Sequence, residues 1–143
     1  MNGMTVAAFD PGRNIGFALV TLSGELLQAR ILQSAELPAI TIEPGVNVVM
    51  GGGTGSGTLL EALNRLGHQV TVVDEEGTSL AGRELYFRDN PPGLPWRLLP
   101  RTMWSPPRPI DDYAAYAIAL RHLGLLPAAL QGTGRRPGAL RRA

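Results

Sequence analysis

At three separated places in the chain, acidic residues lie directly next to an apolar segment. Asp10 follows the run VAAF, the triplet of residues 74–76 follows VTVV, and the pair of residues 111–112 precedes an alanine-rich segment. If these places meet, the carboxylates repel one another unless cations lie between them. Carboxylate oxygens without His or Cys favour Mg²⁺ or Mn²⁺ over Zn²⁺. Two such ions can activate a water for phosphodiester hydrolysis and stabilise the leaving oxygen.

The apolar pattern predicts the elements that position these acids. The first three predicted strands are joined by short turns and form an antiparallel meander, whereas the segment 46–75 reads as a parallel strand–helix–strand unit. Strands are predicted over residues 4–10, 15–22, 26–32, 46–50 and 68–75. Helices are predicted over residues 58–67, 77–89 and 110–126, the second capped by Thr78 or Ser79.

The predicted fold class is therefore α/β, with a five-stranded mixed sheet flanked by helices. Asp10 and the triplet of residues 74–76 end two of the strands, and residues 111–112 open the last helix after a long loop. In open α/β sheets, sites collect beyond the carboxyl ends of the strands. We therefore expect the three acidic places to share one edge of the sheet.

Composition limits the classes of function. A chain of 143 residues predicts one domain, here residues 1–126, followed by a basic tail over residues 127–143. The absence of cysteine excludes disulfides and thiolate metal sites, and the absence of lysine excludes a lysine nucleophile. No apolar stretch approaches the ~20 residues that cross a bilayer. We expect a cytoplasmic protein that does not bind a membrane.

The glycine loop GGGTGSG, residues 51–57, lies between a predicted strand and a predicted helix. It reads like the signature loop of tubulin-like GTPases, and Gly52 to Gly57 has the spacing of a phosphate-binding loop, but Thr58 replaces the required lysine. A nucleotide binder is therefore the weakest of the alternatives. Backbone N–H groups before a helix can still bind a phosphate of another ligand. The candidate contacts are Gly53, Thr54 and Ser56; alternatively, the glycines only turn the chain.

The proline-rich loop over residues 90–109 combines aromatic and basic side chains. Aromatic rings stack on unpaired bases, and guanidinium groups neutralise phosphates. The alternative is that both tryptophans pack the loop against the body of the protein. The candidate substrate contacts in this loop are Trp96, Arg97, Arg101, Trp104 and Arg108. Arg13, three residues after Asp10, is a further candidate.

Three segments of the chain resemble motifs of the RuvC and YqgF nucleases of the RNase H-like superfamily. AFDPGRNIGFALV resembles the first motif, in which an Asp ends strand one before a Gly-rich turn. VTVVDEEGTSLA is similar to the second motif, an acidic pair that closes a strand before a capped helix. IDDYAAYAIAL resembles the third, an Asp followed by an alanine-rich helix. The motifs occur in the family order and extend to about residue 126.

The resemblance implies an RNase H-like fold and assigns roles to the acids. Asp10, Glu75 and Asp111 would be the catalytic, metal-binding carboxylates, with Mg²⁺ or Mn²⁺ as cofactor. Asp112 is a further candidate ligand, and Asp74 is the corresponding alternative to Glu75.

The resemblance also implies a metal-dependent nuclease, with two possible substrates. RuvC-like relatives resolve branched DNA such as Holliday junctions, usually as homodimers, whereas YqgF-like relatives are linked to processing of 16S ribosomal RNA precursors. Glu76 stands where the family usually has a basic residue. The alternative function is therefore a non-catalytic nucleic-acid-binding module with a degenerate metal site.

Overall fold

The core of the protein is a single mixed β-sheet of five strands. The computed structural model describes residues 5–43, 45–53 and 55–127. The strands are β1 (Thr5–Asp10), β2 (Ile15–Thr21), β3 (Leu26–Leu32), β4 (Asn47–Gly51) and β5 (Val70–Val73). Their order in the sheet is β3-β2-β1-β4-β5, with antiparallel pairing among β1, β2 and β3 and parallel pairing of β4 with β1 and β5. The α/β class and the mixed five-stranded sheet are confirmed.

Three α-helices accompany the sheet within the described residues. They are α1 (Ser56–Arg65), α2 (Thr78–Asp89) and α3 (Asp111–Leu123). Short 3₁₀ helices occur at Ser34–Ala39, Trp96–Leu98 and Arg101–Met103. None of the helices in the described part of the chain has the length and apolar character needed to span a bilayer. Thr54 and residues 128–143, which include nearly all of the predicted basic tail, lie outside the described residues.

Residues 6–9 of the central strand, β1, are all apolar because both faces of the strand are covered. Val6 and Ala8 belong to a cluster formed with α2 and α3, whereas Ala7 and Phe9 belong to a second cluster formed with α1. Successive side chains of a strand point to opposite faces, so a strand buried on both faces reads as one continuous apolar run. The two clusters explain why residues 6–9 show no polar alternation.

Helix ends differ from the prediction at two places. The residue before α2 is Gly77 with φ +80°, and no side chain caps the helix; Thr78 instead donates a hydrogen bond from its hydroxyl to the carbonyl of Glu75, 2.7 Å away. The prediction of a Thr78 or Ser79 cap is therefore wrong. In α1, Leu59 and Leu63 are buried but Leu66 is 43% exposed, because the helix ends at Arg65 and the chain turns away at Gly67.

Gly16 allows α3 to lie directly against β2. A Cβ atom on Gly16 would lie only 1.9 Å from the carbonyl oxygen of Asp111 and 2.5 Å from its carbonyl carbon. Real Cβ atoms never come this close to backbone atoms, so the position requires glycine. Gly16 also pairs with Asp10 in the β1–β2 ladder. The same glycine therefore sets the distance between the end of β1 and the start of α3.

We predict that Gly16→Ala destabilises the protein. The added methyl group meets backbone atoms that cannot rotate away, so α3 must shift, and overpacking of this kind costs about 1–3 kcal/mol or more. Urea unfolding followed by circular dichroism measures the change. Gly12→Ala is the matched control, because a Cβ there meets only the Asn14 carbonyl oxygen at 3.4 Å. Equal stability of the two variants would contradict the proposed packing role.

Candidate metal and nucleic-acid site

The carboxyl ends of three parallel strands meet at one edge of the sheet. Phe9 of β1 pairs with Met50 of β4, and Gly51 of β4 pairs with Val73 of β5. Asp10, the glycine loop and the acidic triplet of residues 74–76 therefore follow one another along this edge. Asp111 joins them from α3 through its backbone contact with Gly16. The structure thus brings together the three acidic places that are far apart in sequence.

Asp10 is the electrostatic centre of this edge. Burial of its carboxyl, followed by the negative charges of Glu75 and Asp111, raises the pKa of Asp10 from its ordinary 3.8 to about 7. A neighbouring carboxylate raises a pKa only when it is close enough for its charge to act. The pKa of Asp10 therefore indicates that Asp10, Glu75 and Asp111 form one interacting group, which we call the acidic cluster.

The glycine loop accommodates the Glu75 side chain. A Cβ atom on Gly51 would lie 2.4 Å from Oε1 of Glu75, and one on Gly53 would lie 1.7 Å from Oε2. Any larger residue at these positions would occupy the space of the carboxylate. The two glycines therefore form a seat for Glu75, which explains part of the conspicuous sequence GGGTGSG.

Two of the three candidate phosphate contacts in the glycine loop, Gly53 and Ser56, have other contacts in the structure. Gly53 borders a carboxylate, which repels an anion, and the Ser56 N–H donates to the carbonyl of Gly53 at 3.0 Å. Thr54 lies outside the described residues. The local contacts thus favour placement of Glu75 over phosphate binding as the role of this loop.

The loop that carries Glu75 is held by a residue that the sequence analysis did not identify. Arg121 of α3 donates from Nη1 to the carbonyls of Asp74 and Glu76, at 3.2 and 2.5 Å. Asp74 is also engaged, because its Oδ1 accepts the Glu76 N–H at 3.0 Å. Of the acidic triplet, Glu75 is therefore the residue whose carboxylate reaches Asp10. Arg121 gave no signal in the sequence, since it lies 45 positions from the loop and reads as an ordinary helix residue.

The carboxylate of Asp112, the further candidate metal ligand, is engaged by other groups of the protein. Its side chain is buried, and Oδ1 accepts hydrogen bonds from Nη1 of Arg108 at 3.1 Å and from the Tyr113 N–H at 2.9 Å. To bind a cation through Oδ1, Asp112 would have to give up its guanidinium partner, so Asp111 is the stronger candidate ligand. Asp111, in the same turn of α3, is the acid whose charge acts on Asp10.

The chemistry of the acidic cluster suits a hard divalent cation. Asp10, Glu75 and Asp111 supply only carboxylate oxygens, which Mg²⁺ and Mn²⁺ prefer. A cation between them would also remove the repulsion that raises the pKa of Asp10. As placed, however, no three His, Cys, Asp or Glu side chains among the described residues form a ready-made metal site. The residue types fit the metal, and the side chains must draw together to hold it.

The two tryptophans of the proline-rich loop have different environments. Trp104 donates from Nε1 to the Leu99 carbonyl at 3.0 Å, and its ring packs edge-on against Phe87. The guanidinium of Arg101 lies 4.9 Å from the centre of the Trp104 ring. Trp96, by contrast, is 56% exposed. Trp104 therefore packs the loop, and only Trp96 presents its ring to solvent.

The candidate arginines also divide into two groups. Arg101 pairs with Glu84 at 2.6 Å, and Arg108 pairs with Asp112 while lying 5.2 Å from the centre of the Tyr86 ring. Within the described part of the chain, Arg13 and Arg97 are exposed and their side chains form no ion pair or hydrogen bond. Arg13 and Arg97 are therefore the candidates that can contact a phosphate without first giving up a partner.

Comparisons with known proteins do not assign a family. The chain matches no protein-family model, and a search of curated proteins finds no relative.

We predict that Asp10→Asn stabilises the metal-free protein more at pH 8 than at pH 5. Because folding raises the pKa of Asp10 from 3.8 to about 7, the folded chain binds more protons than the unfolded chain between these values. Stability is therefore lost as the pH rises through this window, and asparagine removes that loss. Urea unfolding in EDTA at the two pH values measures the free energy of unfolding of both proteins. Glu61→Gln, on the exposed surface of α1, is the control and should show no comparable pH dependence. An Asp10→Asn effect that is equal at both pH values would contradict the raised pKa.

We also predict that Gly53→Ala lowers the pKa of Asp10. The new methyl group displaces the Glu75 carboxylate, whose charge helps to raise that pKa. Carbon-13 NMR titration of the Asp carboxyl groups measures the change. Gly57→Ala is the control, because a Cβ there meets nothing within 4 Å. It should leave the pKa of Asp10 unchanged and add up to ~1 kcal/mol of helix stability. An unchanged Asp10 pKa in Gly53→Ala would show that the glycine seat does not place Glu75.

Proposed function

We propose that the protein is a divalent-metal-dependent nuclease with an RNase H-like fold that hydrolyses phosphodiester bonds in nucleic acid. The observation that carries the proposal is the juxtaposition of Asp10, Glu75 and Asp111, close enough for the last two to raise the pKa of the first. A repelling group of carboxylates is unfavourable without a cation, so its presence at a sheet edge favours a metal-binding role. The meander followed by parallel strands is the arrangement that the RuvC and YqgF resemblance implies.

In the proposed mechanism, Asp10, Glu75 and Asp111 would hold Mg²⁺ or Mn²⁺. When bound, the metal would supply activation of a water and charge stabilisation of the leaving oxygen. The protein supplies the positions of the ligands: Gly16 brings Asp111 beside Asp10, and Arg121 holds the loop of Glu75. Asp10 would be the central ligand, because its carboxyl is partly buried and has a pKa raised to about 7 by burial and by the charges of Glu75 and Asp111.

The charge distribution supports a polyanionic substrate beside an acidic catalytic edge. Residues 1–77 contain three arginines and eight acids, whereas residues 78–109 contain five arginines and two acids. Phosphates are therefore repelled by the sheet side and attracted by the segment that includes α2 and the proline-rich loop. Arg13 places a further positive charge in the turn directly after Asp10. The resemblance favours branched DNA or structured RNA as substrate.

A non-catalytic nucleic-acid-binding module is the second candidate. It is favoured by the side-chain positions, since no ready-made three-ligand group is present in the described residues and Asp112 is paired with Arg108. A nucleotide binder is disfavoured, because the glycine loop borders the Glu75 carboxylate and the chain lacks lysine.

A cleavage assay separates these functions. Wild-type protein should cleave labelled junction DNA, single-stranded DNA or structured RNA with Mg²⁺ or Mn²⁺ and not in EDTA. Asp10→Asn and Glu75→Gln should reduce the rate by at least about 100-fold, since even residues that only support metal ligands contribute about 10- to 100-fold.

The control for this assay is Glu61→Gln, which removes an exposed carboxylate that pairs with Arg65 far from the cluster. It should retain full activity. Cleavage that persists in Asp10→Asn would falsify the catalytic assignment. Binding of these nucleic acids without metal-dependent cleavage would instead support the non-catalytic module.

A further inference from the structure

An aromatic cleft lies between the end of α2 and the proline-rich loop, outside the acidic cluster. Its volume is about 460 Å³, within the range of roughly 300–1,000 Å³ typical of small-ligand sites. Three prolines form part of its wall. The other lining residues are Tyr86, Phe87, Asn90, Trp96, Trp104 and Ser105.

The inner wall of the aromatic cleft is rigid. Phe87 packs edge-on against both Tyr86 and Trp104, with ring centres 5.3 and 5.4 Å apart. Trp104 is held further by its hydrogen bond to Leu99, and Arg83 donates to the Trp104 carbonyl. A flat apolar ligand would meet preformed surfaces here, so little ordering of side chains opposes binding.

Trp96 lines the exposed side of the aromatic cleft, and its ring is open to solvent. It is 56% exposed, and within the described residues its ring contacts no other aromatic ring and its indole N–H donates no hydrogen bond. An exposed indole beside a preformed aromatic cavity is suited to stacking on a planar ligand that also offers a hydrogen-bond acceptor.

The charge around the cleft selects the kind of ligand. Residues 78–109 have a net charge of +3, and Arg97, next to Trp96, is exposed and unpaired in the described part of the chain. A neutral proline-rich peptide would suit aromatic walls but would gain nothing from these charges. A planar base carried on a phosphate backbone satisfies both the aromatic walls and the charge.

A chain of contacts links the cleft to Asp112, the neighbour of Asp111. Arg108 lies over the Tyr86 ring and pairs with Asp112, which is adjacent to Asp111. Tyr86 also packs edge-on against Tyr113 in the first turns of α3. The cleft is thus linked to the start of α3, which carries Asp111, through Arg108 and Tyr86.

We propose that the aromatic cleft binds one unpaired nucleobase of the substrate, stacked on Trp96, and that it thereby selects nucleic acid with unpaired nucleotides. This inference rests on the proposed nucleic-acid substrate and adds the class of nucleic acid. A base inside a duplex has both faces covered by its neighbours and enters such a cleft only after unstacking. Single-stranded or unpaired segments are thus preferred.

Fluorescence anisotropy in EDTA tests binding apart from cleavage. The probes are a fluorescein-labelled 12-nucleotide single strand and the blunt duplex of the same sequence. The full chain should bind the single strand more tightly, and Trp96→Ala should weaken that binding about 5- to 150-fold, corresponding to ~1–3 kcal/mol per stacked base. Trp96→Phe should restore most of the affinity, and duplex binding should change little.

Leu98→Ala is the matched control, because Leu98 lies in the same loop, is 78% exposed and does not line the cleft. It should bind the single strand like the wild type, and urea unfolding should show that Trp96→Ala is as stable as Leu98→Ala. Equal affinity for single strand and duplex, an unchanged affinity in Trp96→Ala, or tighter binding of a proline-rich peptide would overturn the inference.

The cleavage assay distinguishes the failure of this inference from failure of the proposed nuclease. Metal-dependent cleavage with unchanged single-strand affinity in Trp96→Ala overturns the base site and leaves the nuclease. Selective loss of single-strand binding in Trp96→Ala supports the base site even if no cleavage is found with Mn²⁺.

Discussion

Repulsion among Asp10, Glu75 and Asp111 is the interaction on which the rest of this site depends. Burial of the Asp10 carboxyl, followed by the negative charges of Glu75 and Asp111, raises the pKa of Asp10 to about 7. Such an arrangement lowers stability at neutral pH unless a proton or a cation compensates it. Packing elsewhere must therefore hold the acids together against their charge.

Close backbone approach provides this constraint. Gly16 lets the carbonyl of Asp111 lie where a Cβ would be, and Gly51 and Gly53 leave room for the Glu75 carboxylate. Arg121 adds hydrogen bonds to the loop that carries Glu75. The glycine loop resembles a nucleotide-binding motif when it is taken alone, but in this fold it leaves space for the Glu75 carboxylate.

The proline-rich loop is held by aromatic packing and cation–π contacts. Trp104 and Arg101 are used to pack the proline-rich loop against α2, whereas Trp96 and Arg97 stay exposed. The segment that contains α2 and this loop is also the more basic one, with five arginines and two acids over residues 78–109. The pairing of Arg108 with Asp112 connects this loop to α3.

The sequence by itself determined the order and type of the elements, because apolar runs, turn residues and helix patterns are local signals. It also placed the acids at strand ends, whereas the close approach of Gly16 to Asp111 was found only in the structure. It did not determine which acid of each doublet joins Asp10, nor the role of Arg121. Those outcomes depend on contacts through space: Arg108 engages Asp112, the Glu76 N–H engages Asp74, and the glycine seat accepts Glu75. Only the tertiary structure brings these partners together, since they lie on different elements.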